Sequence, residues 1–136
     1  REEGIPVKKG ARELLSWLKE QGAVVGLASS TAHDIVVQEL TDAGLVDYFQ
    51  AITGGDQITH SKPDPEIYLK ACEKLGIDPK EAYAVEDSYN GIRSAFSAGM
   101  KPLMVPDLLP PTGEMEEKAH RIFDDLLEVR DFLAGK

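Results

Sequence analysis

The segment Tyr83-Ala84-Val85-Glu86-Asp87-Ser88-Tyr89-Asn90-Gly91-Ile92-Arg93-Ser94-Ala95-Phe96-Ser97-Ala98-Gly99 constrains the fold more than any other part of the chain. Ala82 to Val85 carries no charge and is short, as expected of a strand buried on both faces of a parallel sheet. Ser88 can cap a helix in which Ile92, Ala95 and Phe96 repeat at helical spacing. Gly99 suits the position just past its end. Glu86 and Asp87 then stand at the carboxyl end of a strand, where open α/β sheets place their ligands.

Two adjacent carboxylates at a strand end repel each other and lose solvation. A hard divalent cation offsets that cost, because Mg²⁺ takes one or two carboxylates together with substrate phosphate oxygens. The alternative is an exposed acidic pair opening a helix, where negative charge complements the macrodipole. The pair alone leaves both readings open.

The remaining segments repeat the strand-then-helix order. Ala11, Leu14, Leu15 and Leu18 mark a helix with Trp17 beside the stripe, ended near Lys19 and Gly22. Ala23 to Ala28 reads as an apolar strand closed by Ser29-Ser30-Thr31. Thr31-Ala32-His33-Asp34 resembles a capping box opening a helix with Ile35, Val36 and Leu40, stopped by Gly44. Leu45 to Phe49 is a linking turn and Ala51 to Thr53 a short strand. In Ser61-Lys62-Pro63-Asp64-Pro65, Pro63 keeps Lys62 extended, Asp64 can cap, and Pro65 opens a helix burying Ile67, Tyr68, Ala71 and Leu75. Lys101 to Val105 is a further strand and Pro106 to Gly113 a proline-rich loop. Arg121 to Phe123 forms an edge strand, and Leu126, Leu127, Val129, Phe132 and Leu133 lie on a closing helix.

This alternation predicts an α/β fold, a doubly wound, Rossmann-like parallel sheet. Right-handed crossovers would bring every strand's carboxyl end to one edge. Ser29, Lys62, Glu86 and Asp87 all fall at that edge or in the loop just after it, and their convergence is the argument for a site.

Composition narrows the class of ligand. A net charge of −9, from 24 acidic and 15 basic residues, argues against nucleic acid or anionic membrane as the main partner. No apolar run approaches the roughly 20 residues that span a bilayer. The single cysteine, Cys72, fits a reducing cytoplasm and, within a helical pattern, reads as a packed thiol. At 136 residues the chain is one domain's worth.

Ser29 and Ser30 lie between a buried strand and a helix N-terminus, where hydroxyls and free amides suit a phosphate; Ser30 or Thr31 could equally cap the helix. Lys62, held in an extended loop, can balance the carboxylates and a phosphoryl oxygen, or be an ordinary turn lysine. His33, on the first helical turn, reads as a surface or substrate-rim residue rather than a catalytic one. His60 and His120 suggest no metal cluster.

Leu27-Ala28-Ser29-Ser30, Ser61-Lys62-Pro63-Asp64-Pro65-Glu66-Ile67-Tyr68 and Val85-Glu86-Asp87-Ser88-Tyr89-Asn90-Gly91 together resemble the second, third and fourth motifs of the haloacid dehalogenase superfamily. The likeness is nearest to its β-phosphoglucomutase-like branch of sugar phosphatases and phosphohexomutases, and covers nearly the whole chain. It implies that Ser29 holds the transferring phosphoryl group, with Ser30, Thr31 and His33 near the substrate. Lys62 would bridge the phosphoryl group to the nucleophile, and Asp87 with Glu86 would anchor Mg²⁺. An aspartate would attack, giving an aspartyl-phosphate, and a second aspartate two residues on would act as acid and base.

That Asp-x-Asp motif does not occur here. By the resemblance the chain is the C-terminal part of a longer protein, without the first strand and the helical cap. Residues 1–10 would be the tail of the cap-to-core connection and 11–136 an incomplete core. Ala32 stands where mutases of the branch carry a lysine, which favours a phosphatase. The missing strand would lie between those ending at Ser29 and Glu86. Either these close up, or a retained peptide or another chain, including a second copy, fills the slot; the filled slot is expected. The rival reading is a non-catalytic binding or interaction domain that retains a phosphate and metal half-site.

Overall fold

A computed structural model describes residues 10–106 and 110–135. The first helix, α1 (Ala11–Glu20), is followed by β1 (Gly26–Ala28), α2 (His33–Ala43), β2 (Ala51–Thr53) and α3 (Glu66–Leu75). Then come β3 (Tyr83–Glu86), α4 (Tyr89–Ser97), β4 (Lys101–Met104), α5 (Gly113–Lys118), β5 (Arg121–Ile122) and α6 (Leu126–Ala134). The expected alternation is present and the fold is α/β. Residues 1–9 of the proposed connection, and 107–109 of the proline-rich loop, lie outside the described residues.

Every strand pairing is parallel. Leu27 stands opposite Ile52, Val85 opposite Leu103, and Met104 opposite Ile122. Among the described residues the strands nevertheless form two sheets, β1-β2 and β3-β4-β5, rather than one. The strands ending near Ser29 and Glu86 have not closed up. A cavity of about 800 Å³ lies between them, walled by Gly26, Leu27 and Ala28 on one side and Ala84, Val85 and Glu86 on the other.

Helices tie the two half-sheets together. On α1, Leu14 packs with Leu103, Val105, Leu126 and Val129, whereas its neighbour Leu15 packs with Val36, Leu40 and Leu45. From α3, which lies on β1 and β2, Ile67 and Tyr68 reach Ala84 and Ala95 of the second half. Full burial of side chains such as Ile92, Leu103, Leu126 and Val129 contributes about 1.5–3 kcal/mol each. Cys72 is buried, and burial pushes its thiol pKa up, in keeping with a packed, neutral group. Among the described residues no helix is long and apolar enough to cross a membrane.

The structure corrects several local expectations. The first strand is shorter than 23–28, and β3 runs one residue further than expected, ending on Glu86 itself. Thr31 does not cap α2. Its first amide, that of His33, donates instead to Asp56 Oδ1 at 2.8 Å, from a short 3-10 turn after β2. Phe96 is 48% exposed rather than part of the core stripe, because α4 buries Gly91, Ile92, Ser94 and Ala95. The helix α5 was not anticipated.

Candidate phosphate and cation site

Strand ends and the turns after them set Ser29, Glu86 and Asp87, whereas Lys62 comes from the loop before α3 and Tyr68 from α3 itself. The Ser29 amide donates to the Thr53 carbonyl at 2.9 Å, carrying the β1–β2 ladder one step past the strand. The Thr31 amide turns back to Ser29 Oγ at 3.1 Å, and the Gly55 amide donates to the Thr31 carbonyl at 2.8 Å. Gly55 packs so closely on the Ser30 carbonyl that a Cβ there would overlap it. The serine loop is thus held from the β2 side, with Ser29 half-buried and Ser30 exposed.

The second half of the site centres on Glu86, only 6% exposed. Lys62 Nζ donates to Glu86 Oε2 at 2.6 Å, and the Tyr68 hydroxyl donates to the same oxygen. Ser88 Oγ approaches Oε1 at 3.4 Å while accepting from the Gly91 amide at 3.0 Å, so the expected cap of α4 is present. Gly91 is pressed against the carboxylate, and any Cβ there would overlap it. Burial first, and then the Glu86 carboxylate, hold the Tyr68 hydroxyl well above its ordinary pKa, so it remains a donor. The ion pair is itself largely withdrawn from water, with side-chain exposures of 14% for Lys62 and 7% for Glu86.

Ser29, Ser30, Thr31, Lys62, Glu86 and Asp87 all line the one cavity between the half-sheets, and Tyr68 joins them there. His33 is not on that wall; its ring lies 3.3 Å from the exposed Asp34 carboxylate. Tyr68 was legible in the sequence only as a core residue. A tyrosine rather than a phenylalanine at a buried helical position does signal a hydroxyl that needs a partner.

A divalent cation finds part of a donor set here. Asp87 is half-buried at the cavity wall and offers hard carboxylate oxygens, and both Glu86 oxygens face protein donors. Among the described residues no group of three or more His, Cys, Asp or Glu side chains converges on one point. One or two carboxylates suffice for Mg²⁺ when waters and phosphate complete the shell, so the residues present fit such an ion through Asp87.

Comparison with known sequences settles the family. The sequence profile of the haloacid dehalogenase-like hydrolases matches residues 1–105. The chain belongs to the haloacid dehalogenase-like hydrolases. Within this family, Hexitol phosphatase B of Escherichia coli (strain K12) is 40% identical over 105 residues, covering 77% of this chain and 47% of the relative. The phosphorylated carbohydrates phosphatase of Thermotoga maritima is 38% identical over 92 residues, covering 68% of this chain and 43% of the relative. A crystal structure of a provisionally assigned β-phosphoglucomutase from Thermotoga maritima superposes with a TM-score of 0.84 at 32% identity, over 93% of this chain and 59% of the other. The chain therefore spans about half the length of these relatives, which are named as enzymes. The doubly wound core and the phosphoglucomutase-like branch expected from the motifs are both supported.

Proposed function

We propose that the protein carrying this chain is a Mg²⁺-dependent phosphoryl-transfer hydrolase acting on a small phosphorylated metabolite, a sugar phosphate in the first instance. The observation that carries this reading is the convergence of Ser29, Lys62 and Asp87 on one cavity at the carboxyl ends of β1 and β3. The names of the two phosphatase relatives, both concerned with phosphorylated sugars or sugar alcohols, support the substrate class. A cytoplasmic location, expected from the single thiol, belongs to the same proposal.

Ser29 Oγ and the amides of the Ser29–Thr31 loop would bind phosphoryl oxygens, as open strand-to-helix turns do. Lys62, fixed by Glu86, would face the charge that develops on the phosphoryl group and the nucleophile. Asp87, with Glu86 behind it, would hold Mg²⁺, which supplies charge neutralisation and alignment of the phosphate. His33 would stand at the outer rim. The nucleophile would be an aspartate outside these 136 residues. Its carboxylate oxygen would bond to phosphorus as the bond to the substrate oxygen breaks, and water would then cleave the aspartyl-phosphate. An extended segment bearing that aspartate fits the cavity between β1 and β3, whose facing edges pair with no strand among the described residues.

The test is Asp87→Asn in the full-length protein. Mg²⁺-dependent hydrolysis of a sugar phosphate is expected to fall by several kcal/mol in transition-state stabilisation, about a thousandfold or more, with the thermal midpoint little changed. Near-normal turnover at saturating Mg²⁺ would overturn the cation assignment.

A further inference from the structure

We propose that Tyr68 is a positioning residue for the Lys62 ammonium, acting through a carboxylate oxygen that the two side chains share. This rests on the phosphoryl-transfer reading above. It adds to that reading a residue that neither the motif spacing nor the helical periodicity marked as functional.

The geometry has three parts. Lys62 Nζ and the Tyr68 hydroxyl both donate to Glu86 Oε2. Lys62 Nζ also lies 5.4 Å from the centroid of the Tyr68 ring, within the range of a cation–π contact. Ser88 Oγ and the close-packed Gly91 bound the other side of the same carboxylate. Lys62 sits on a flexible four-carbon stem, and a lysine ammonium is a compact charge with no planar fork to fix its direction. With Glu86 alone as counter-ion, the ammonium could swing between the two carboxylate oxygens. The Tyr68 hydroxyl removes that freedom on the Glu86 side, since it donates to Oε2 and locks the carboxylate plane, while its ring walls off one side of the ammonium. The remaining Lys62 protons are then directed away from the tyrosine and towards the cavity that both residues line.

Glu86 spends its two oxygens on Lys62, Tyr68 and Ser88, and so serves as the ammonium's anchor.

The experiment compares Tyr68→Phe, Lys62→Ala and Asp87→Asn in the full-length protein by steady-state kinetics, calorimetric Mg²⁺ titration and thermal unfolding. Tyr68→Phe keeps the ring and loses only the shared hydrogen bond. It is expected to lower kcat about tenfold, the size of one lost bond to a charged group, with KM for the sugar phosphate and the Mg²⁺ Kd within about twofold of the parent protein. Lys62→Ala should lower kcat further, and adding Tyr68→Phe to it should cost no more, since the hydroxyl then has no ammonium to aim. Placing 4-aminophenylalanine at position 68 restores a donor on the same ring and should recover most of kcat. It also serves if Tyr68→Phe fails to fold.

An unchanged kcat in Tyr68→Phe, or equal loss with and without Lys62, would overturn the proposal while leaving the phosphoryl-transfer reading intact. So would a loss in Tyr68→Phe that 4-aminophenylalanine does not recover, or a Mg²⁺ Kd weakened as much as in Asp87→Asn. If Lys62→Ala and Asp87→Asn both retained full turnover, the underlying reading and this proposal would fail together.

Discussion

At the scale of single residues, Lys62 is the side chain whose role is tied most closely to its surroundings. Its ammonium is buried against a buried carboxylate, and such a pair contributes little net stability because desolvation offsets the attraction. Its retention is better explained by charge placement, and Lys62→Ala should therefore lower kcat much more than it weakens Mg²⁺ binding. Kinetics with a parallel metal titration checks this; an unchanged kcat with a raised KM would make Lys62 a ground-state binder. Ser29, Glu86 and Asp87 were legible in the sequence because each sits at a strand end, a place that pattern alone can locate, and Lys62 because Pro63 marks its loop as extended. The Tyr68 contact was not, because it spans 18 positions and depends on how α3 is rotated. His33 lies off the cavity wall, its amide donating to Asp56 and its ring beside Asp34.

At the scale of elements, α5 shows how a short helix escapes a periodic reading. Its six residues carry four charges and two apolar or neutral positions, Gly113 and Met115, too few to establish a 3.6-residue repeat. What holds it is a Thr112 cap on the Met115 amide, the full burial of Met115, and Glu114 gripped by Arg93 of α4 through Nε at 2.9 Å and Nη2 at 2.7 Å. The Arg93 hydrogen bonds draw the Glu114 pKa down from 4.5 to about 2. A depressed carboxylate stabilises the fold above its unfolded pKa, and that contribution is lost as pH falls through the folded value. Glu114→Gln should therefore lower the thermal midpoint at neutral pH and flatten its fall between about pH 4.5 and 2. A parallel acid limb in the variant would show that the pair carries no linkage. The exposure of Phe96 has a similar origin. Ser94 is fully buried and donates to the Asp64 carbonyl at 2.7 Å, which turns the buried stripe away from Phe96.

At the scale of the whole molecule, the sequence supported a doubly wound parallel sheet, its crossovers and a common edge of strand ends. A slot between the strands ending at Ser29 and Glu86, filled rather than closed up, was expected from the family resemblance and not from pattern, because strand pairing is a long-range property. The described structure keeps them apart, with Leu27 and Val85 on opposite walls. Apolar walls and unpaired strand edges favour association with a further strand. The 136-residue chain by itself is expected to show no phosphatase activity. Supplying the segment that precedes it in the full-length protein as a separate peptide should restore Mg²⁺-dependent hydrolysis, and self-association of the isolated chain should fall as the peptide is added. Turnover by the isolated chain, with its mass verified, would place the nucleophile within these residues and sink the proposal.

The divided sheet also makes the site a reporter of its own assembly. Ser29 belongs to one half and Glu86 and Asp87 to the other, so among the described residues no backbone ladder fixes the distance across which a phosphate must be grasped. A strand entering the cavity and an anion bridging its mouth would each draw on the same alignment of the halves. Their binding energies are then coupled, and the coupling is equal in both directions: whatever factor the strand adds to phosphate affinity, phosphate returns to the affinity for the strand.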